Sequence, residues 1–206
     1  MQGFTRTSAT FAMTAATAIL TASLSLQTQA REITGGTLVL TGGTNGGLSL
    51  TTTNIDAEGT QYDTNSLNLN AGARYFFQDN LAVGLRYSYE YNNREYEDGF
   101  EQESTLTTLY PGIYLNHSIN DDNSLVFGGE FMLGSQEYQN TGEAPLQLDA
   151  SGFAVRAEYT HFLNELLAVN AGAMYVFSSL EEDMTSIEAE TSGLIMGLGL
   201  SVYLSR

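Results

Sequence analysis

A histidine beside a serine is the first pattern in this chain that could carry chemistry. A histidine within hydrogen-bond reach of a serine hydroxyl can act as the general base that activates it as a nucleophile. The 206-residue chain has two histidines: His117, which is followed by Ser118, and His161, which stands apart. Whether either can act depends on where the surrounding strands place it.

Two acidic clusters could bind a hard cation. Asp121-Asp122-Asn123 and Glu181-Glu182-Asp183 offer the oxygen ligands that Ca²⁺ and Mg²⁺ prefer. Neither cluster has the glycine and the ligand spacing of an EF-hand loop. We interpret both as solvated charged loops, and we predict neither a metal site nor a cofactor.

Five charged residues inside apolar stretches form the candidate site. They are Arg74, Arg86, Glu130, Arg156 and Glu158. Each lies in the phase opposite to the apolar residues of its stretch, about four to six residues from the nearest short turn. An isolated buried charge costs far more than a paired one. If strands bring these residues to one depth in a narrow barrel, we expect them to pair and to plug the lumen.

The stretch from Ser66 to Asn92 shows how such residues are positioned. Large apolar residues alternate with polar or small ones on both sides of Gln78-Asp79-Asn80, which predicts a β-hairpin. Each arm has about the 9–11 residues that a tilted strand needs to cross a bilayer. The apolar phase contains Leu67, Leu69, Ala71, Ala73, Tyr75 and Phe77 before the turn, and Leu81, Val83, Leu85, Tyr87, Tyr89 and Tyr91 after it.

The same alternation recurs along the chain and predicts an all-β, eight-stranded antiparallel up-and-down barrel. The first strand is predicted from Leu38 to Leu50. Asn45-Gly46 is a hairpin signal that would divide it, but two halves of about five residues could not cross a bilayer. Pro111 removes a ladder donor and predicts a bulge or local irregularity. The other strands are predicted around 67–77, 81–91, 108–116, 125–134, 152–159, 167–178 and 194–204.

The connections indicate which face points outward. Long acidic loops at 51–64, 92–103, 136–147 and 179–190 alternate with short turns near 78–80, 118–123 and 164–165. Transmembrane barrels have this asymmetry, with short periplasmic turns and long extracellular loops. The apolar phase also has no Asp, Glu or Arg at mid-strand, where such a charge would cost about 2–4 kcal/mol against lipid. We therefore predict that the apolar phase faces lipid.

Aromatic residues near both ends of the strands predict two interfacial girdles. The girdle near the short turns contains Tyr75, Phe77, Tyr159, Phe162 and Tyr203, and the girdle near the long loops contains Tyr89, Tyr91, Phe153 and Phe177. Both histidines lie beside short turns in the lipid-facing phase, away from the loops that meet the outer leaflet. We therefore predict interfacial histidines and no catalytic residues.

Residues 1–30 are predicted to be a signal peptide, and residues 31–206 the barrel domain. A membrane helix is the alternative, but the apolar run from Ala12 to Leu26 is shorter than the roughly 18–20 residues of a span. The mature chain holds six arginines, no lysine and 24 acidic residues, a formal charge of −18 that excludes nucleic-acid binding. The absence of cysteine excludes a disulfide framework and cysteine catalysis.

The chain resembles the small eight-stranded outer-membrane β-barrel domain proteins of Gram-negative bacteria, the OmpX-like and OmpW-like barrels. The resemblance rests on the predicted signal peptide, the hairpin core NAGARYFFQDNLAVGLRYSY, the short Asn-Asp turns and the ending GLGLSVYL. It implies residence in the cell outer membrane, with membrane lipid, lipopolysaccharide and the barrel-assembly machinery as partners. The family's C-terminal assembly signal matches at Gly199, Val202 and Leu204, although this chain continues to Ser205 and Arg206.

We therefore expect a monomeric, non-enzymatic outer-membrane barrel whose acidic extracellular loops act in envelope integrity or in surface interaction and adhesion. Divalent cations could bridge these loops to lipopolysaccharide phosphates. A narrow small-solute channel or gated pore is the alternative. A lipid-modifying barrel enzyme comes third.

Overall fold

The computed structural model describes residues 33–43, 48–57, 60–96, 99–181 and 188–204. The predicted signal peptide at 1–30 lies outside these ranges. Among the described residues, no helix is long and apolar enough to cross a membrane.

The described residues form nine strand segments. They are β1 (Leu38–Gly43), β2 (Leu48–Ala57), β3 (Thr60–Gln78), β4 (Leu81–Tyr96), β5 (Glu101–Asn120), β6 (Asn123–Asn140), β7 (Leu146–Phe162), β8 (Leu167–Glu181) and β9 (Glu188–Leu204). Successive side chains of a strand point to opposite faces, so the alternation of large apolar with polar or small residues gives each segment two different faces.

The segments form a closed antiparallel up-and-down barrel. From β3 to β9 each strand pairs with the next, and β1 closes the ring by pairing with β9 on one side and β3 on the other. Leu38, for example, lies opposite both Leu204 and Tyr75. Because β1 and β2 pair with successive stretches of β3, the nine segments occupy eight positions. The predicted fold class is confirmed.

The prediction of one strand from Leu38 to Leu50 is wrong. Residues 44–47, between β1 and β2, lie outside the described residues, but the register excludes one regular strand: from Gly42 to Leu48 the chain advances six residues, while the partners on β3 advance two, from Ala71 to Leu69. Gly42 lies opposite Ala71 and Leu48 lies opposite Leu69, so both segments run in the same direction along β3. The hairpin alternative is also wrong, since in the described ranges β1 and β2 pair with β3 and not with each other. β1 and β2 therefore share one of the eight strand positions of the barrel.

The strands extend much further at the long-loop end than the sequence predicts. The four predicted loops at 51–64, 92–103, 136–147 and 179–190 are wrong as loops, because most of their described residues belong to strands. β5 has 20 residues. Since about 9–11 residues cross a bilayer, the ladder continues well past the membrane at this end.

The short turns at the opposite end are confirmed. β3 and β4 are joined by Asp79-Asn80, and β5 and β6 by Asp121-Asp122. Asn80 has a φ of 61°, a left-handed conformation that asparagine adopts more readily than most residues. The segment before β1 is fastened to the first of these turns: the Ile33 N–H donates to Asn80 Oδ1 at 3.2 Å, and the Ile33 carbonyl accepts from the Asn80 N–H at 2.9 Å.

Neighbouring residues of a strand have opposite surroundings. Leu85 is 50% exposed, whereas Arg86 beside it is 4% exposed. A water-soluble protein would bury the leucine and expose the arginine. The apolar phase is therefore the outer surface of the barrel, as the sequence predicts. Other exposed members of this phase include Leu69, Tyr75, Phe77, Val83, Leu109, Ile113, Phe131, Leu133, Tyr159, Leu194, Met196, Leu198 and Leu200.

Pro111 interrupts one ladder without moving its register. The pairing of β5 with β6 stops at Leu109, which lies opposite Leu133, and resumes in the same register at Gly112, which lies opposite Glu130. The predicted irregularity is confirmed, as a gap in the ladder and not as a bulge.

The lumen is packed in layers. An apolar layer near the short turns contains Ile33, Val39, Phe76, Ala82, Tyr114, Val126, Phe162, Ala168 and Tyr203. A second apolar layer, toward the long-loop end, contains Tyr110, Met132 and Ala150, with Leu106, Val176 and Leu180 against them. The predicted girdle positions of Phe162 and Tyr203 are wrong, because both rings point into the lumen, 4.9 Å apart between centroids.

Candidate functional site in the barrel lumen

Each charged residue of the predicted site stands opposite a glycine on an adjacent strand. The opposed pairs are Arg74 with Gly84, Arg86 with Gly72, Glu130 with Gly112, Arg156 with Gly128, and Glu158 with Gly172. A Cβ added at Gly84 would lie 3.1 Å from Arg74 Cγ, and one added at Gly112 would lie 2.9 Å from Glu130 Cγ. The glycines therefore leave the space that the long charged side chains fill.

The role of these glycines was not predicted from the sequence, although a signal for it exists. Every one of them lies in the lumen-facing phase of its strand, where a small residue opposite a long one fits a narrow barrel. The alternation along one strand does not determine the register between strands, and the register decides which glycine lies opposite which charged residue.

Arg74 and Glu158 form a bidentate ion pair. Arg74 Nη1 donates to Glu158 Oε1 and Arg74 Nη2 donates to Glu158 Oε2, both at 3.0 Å. β3 and β7 are not neighbours in the sheet, so this pair spans the lumen. Two parallel charge-assisted hydrogen bonds fix the orientation of both side chains.

Arg86 and Glu130 form a second pair. Arg86 Nη2 donates to Glu130 Oε2 at 2.8 Å, and Arg86 Nε donates to the same oxygen at 3.3 Å. The Tyr114 hydroxyl donates to Glu130 Oε1 at 2.8 Å, so both carboxylate oxygens have a donor. The carboxylate is therefore held between an arginine and a tyrosine.

Arg156 connects the two pairs. Its Nε lies 3.2 Å from Glu130 Oε1, and its Nη1 lies 3.5 Å from Glu158 Oε2. The five side chains consequently alternate in sign in the order Arg74, Glu158, Arg156, Glu130, Arg86. We call this series the lumen charge network.

Aromatic rings and a thioether pack against the ends of the network. The Arg74 guanidinium lies over the Tyr114 ring, with Cζ 4.7 Å from the centroid, and that of Arg86 lies 3.6 Å from the centroid of Tyr110. Arg86 Nη2 also donates to the Met174 sulfur at 3.1 Å. Cation–π contacts of this kind gain strength when water is excluded.

The network is sealed from water. Its five residues are between 2% and 5% exposed. Buried ion pairs persist only with good geometry and further hydrogen bonds, and the loss of one partner leaves a costly unpaired charge. The arrangement can therefore hold a barrel shut, whereas it presents neither a nucleophile nor an open set of metal ligands.

The predicted assembly-signal residues lie along the closing seam of the barrel. On β9, Gly199 lies opposite Gly43, Val202 opposite Leu40, and Leu204 opposite Leu38. These positions complete the ring between the last strand and the first. Their recognition by the assembly machinery stays a prediction.

The histidines do not form a Ser–His pair with Ser118. His117 and Ser118 are successive strand residues and point to opposite faces, and the Ser118 hydroxyl accepts a hydrogen bond from Asn116 Nδ2 at 3.2 Å. His161 Nδ1 lies 2.9 Å from Asn123 Oδ1, on the outer surface beside a short turn.

The acidic clusters do not come together as a metal site in the part of the chain that the structure describes. Asp121 and Asp122 form an exposed turn, and Asn123 is occupied by hydrogen bonds to Tyr159 and His161. Glu181 ends β8, while Glu182 and Asp183 lie outside the described residues. No group of three or more His, Asp or Glu side chains in the described ranges could hold a metal ion.

Comparisons with known proteins agree with this architecture. The family model described as "Outer membrane protein beta-barrel domain" matches residues 16–204. The solved structure of Ail, the attachment invasion locus protein of Yersinia pestis, in complex with the heparin analogue sucrose octasulfate, is similar with a TM-score of 0.50 and 14% identity, over 84% of this chain and 100% of that chain.

A second solved structure is that of the outer membrane protein OprG from Pseudomonas aeruginosa, with a TM-score of 0.47 and 12% identity, over 87% of this chain and 100% of that chain. No curated protein sequence gives a significant match. At this level of identity, the likeness to Ail speaks for the fold alone.

Proposed function

The chain belongs to the outer-membrane protein β-barrel domain family, and on that premise we propose that it is a non-enzymatic protein that acts at the cell surface. It acts through its outer strand ends, the parts of the strands that extend beyond the membrane at the end opposite the short turns. Its place is the outer membrane. The finer proposal concerns how it acts there: the lumen stays shut, and the acidic strand ends bind lipopolysaccharide through divalent cations and so support envelope integrity.

The observation that carries this proposal is the filled lumen. The lumen charge network lies between the two apolar layers, and its members are at most 5% exposed. An eight-stranded barrel has an interior just wide enough for side chains to fill. A solute would have to break at least one buried ion pair to pass, which favours a surface role over transport.

The strand ends beyond the membrane supply the surface. Their outward-facing side chains include the carboxylates of Asp63, Glu95, Glu101, Glu103, Glu137, Asp149 and Glu190. Asp63, Glu95 and Glu101 are directly opposed on β3, β4 and β5. Directly opposed like charges are unfavourable unless something neutralises them. A divalent cation shared with a phosphate of the outer leaflet would do so.

The acidic surface also limits what can be carried over from Ail. That protein's structure contains a sulfated sugar, and a polyanion of this kind would be repelled by the carboxylates of this chain. We therefore propose cation-bridged lipopolysaccharide as the partner class, and a basic protein surface as the second class if adhesion is the role.

A matched pair of variants tests the proposed contact. Glu95→Gln with Glu101→Gln removes two carboxylates from the outer end, while Asp121→Asn with Asp122→Asn removes the same charge from the short-turn end. We expect the first variant to lower Mg²⁺-dependent retention of lipopolysaccharide by the purified barrel several-fold and the second to leave it unchanged. Equal retention by both variants would refute cation bridging at the outer end.

A further inference from the structure

The buried charges of the lumen do not balance. The lumen charge network contains three arginines and two glutamates, and the series begins and ends with an arginine. All five are nearly inaccessible to water. A net buried charge in a medium of low dielectric constant is expensive. The folded barrel therefore favours a counter-ion inside.

The nearest further carboxylate in the lumen-facing phase does not join the network. Glu90 lies on β4 in the same phase as Arg86, with Ser88 between them in that phase. It is only partly buried, and the Ser88 hydroxyl lies 3.5 Å from its Oε1. It is placed at the wetter end of the lumen, where water screens its charge.

Arg156 is the member of the network with the weakest contacts. It is 5% exposed, and its Nη2 has no hydrogen-bond partner among the described residues. A guanidinium has five N–H donors, and the shortest distance from Arg156 to a carboxylate oxygen, 3.2 Å, is longer than that of Arg74, 3.0 Å, or of Arg86, 2.8 Å. A buried donor without an acceptor indicates a missing ligand or water.

Met174 stands where a third carboxylate would complete the charge balance. It is 2% exposed, lies directly opposite Arg156 on the neighbouring strand, and its sulfur lies 3.1 Å from Arg86 Nη2. A thioether is only a weak acceptor. Arg86 thus donates to a side chain that carries no charge, and Arg156 lies across the strand pair from that same side chain.

We propose that the lumen binds one small monovalent inorganic anion, of the class of chloride, beside Met174 and within reach of Arg156 and Arg86. The anion must be small because the layer is tightly packed: a Cβ added at Gly128, opposite Arg156, would lie 2.7 Å from Tyr114 Cδ1. This site uses the lumen charge network, but it goes beyond the proposed surface role and does not depend on it.

Stability in different salts tests the site. The barrel is refolded into lipid vesicles, and the urea midpoint is compared in sodium chloride and in sodium gluconate at equal ionic strength. Gluconate is too large to enter, so we expect a higher and saturable midpoint in chloride, as binding to the folded state alone requires. Equal midpoints in the two salts would overturn the proposal.

Two variants of one residue separate binding from general salt effects. Met174→Glu supplies the missing carboxylate, so its midpoint in gluconate should rise and its chloride dependence should disappear. Met174→Gln has a similar size without the charge, so its chloride dependence should remain. If Met174→Gln and Met174→Glu lose the chloride dependence equally, charge balance is not the cause and the proposal fails.

Bromide gives a direct readout on the unmutated protein. Crystals grown with bromide in place of chloride should show an anomalous peak within hydrogen-bond reach of Arg156 Nη2, and the peak should be absent from Met174→Glu. No peak in the unmutated protein would overturn the site. Glu90→Gln should leave the chloride dependence unchanged, and a dependence that appears only in this variant would identify Glu90 as the counter-ion instead.

Discussion

Replacing Glu158 by glutamine should be among the most destabilising single changes in the barrel. Glu158→Gln keeps the shape of the side chain but removes the charge that faces Arg74 through two 3.0 Å contacts and Arg156 through one of 3.5 Å. Breaking a buried ion pair from one side costs about 3–5 kcal/mol. Because Glu158 has two arginine partners, we expect its loss to fall in the upper part of that range.

Arg74→Met provides the comparison within the same pair. Glu158 then keeps Arg156 as a partner, and the network becomes two arginines with two glutamates. We therefore expect a smaller loss, about 1–3 kcal/mol, close to the cost of a lost hydrogen bond to a charged group. Glu137→Gln, on the exposed outer surface, should change stability by less than about 0.5 kcal/mol.

Equilibrium unfolding in urea, followed by the heat-modified gel shift of the folded barrel in lipid vesicles, measures all three variants. The expected order of the free energy lost is Glu158→Gln, then Arg74→Met, then Glu137→Gln. If Glu158→Gln costs less than about 1 kcal/mol, or less than Arg74→Met, the reasoning from buried charge balance is wrong.

Three further predictions concern the lipid-facing surface, the packing of the lumen and the signal peptide. Leu85→Arg should destabilise the barrel by about 2–4 kcal/mol while Leu85→Phe is tolerated, because position 85 faces lipid, and urea midpoints compare the two. Gly128→Ala should cost about 1–3 kcal/mol by overpacking, whereas Gly129→Ala should be nearly neutral, since an added Cβ meets Tyr114 at 2.7 Å in the first case and nothing within 4 Å in the second. N-terminal sequencing of the outer-membrane fraction should begin at Arg31, and an intact Met1 would contradict the predicted signal peptide.

The membrane-spanning parts of the strands could be predicted because lipid and lumen impose opposite chemistry on neighbouring residues. Leu85 and Arg86 differ so strongly in exposure that the phase of the alternation specifies the face of each residue. The outer strand ends could not be predicted in the same way. Their two faces both meet polar surroundings, so Asn92 to Tyr96 carry no alternation although they belong to β4.

The pairing within the site depended on features that single strands do not contain. The phase placed Arg74 and Glu158 in the lumen, but their contact depends on the register and tilt of the three strands, β4 to β6, that lie between β3 and β7. The inward positions of Phe162 and Tyr203 were readable from phase alone and were missed because their places near strand ends suggested a girdle. The register of β3 against its partner shifts between β1 and β2, and the sequence of a single strand does not contain this information.

Conductance across a planar lipid bilayer tests the closed lumen most directly. The unmutated barrel should give little or no stable conductance in symmetric salt, because a buried ionic layer lies between two apolar layers. Arg86→Ala with Glu130→Ala, which removes one complete pair and leaves space beside Tyr110, should raise it if the barrel still folds. A large and stable conductance of the unmutated protein would contradict the closed lumen and favour the channel function.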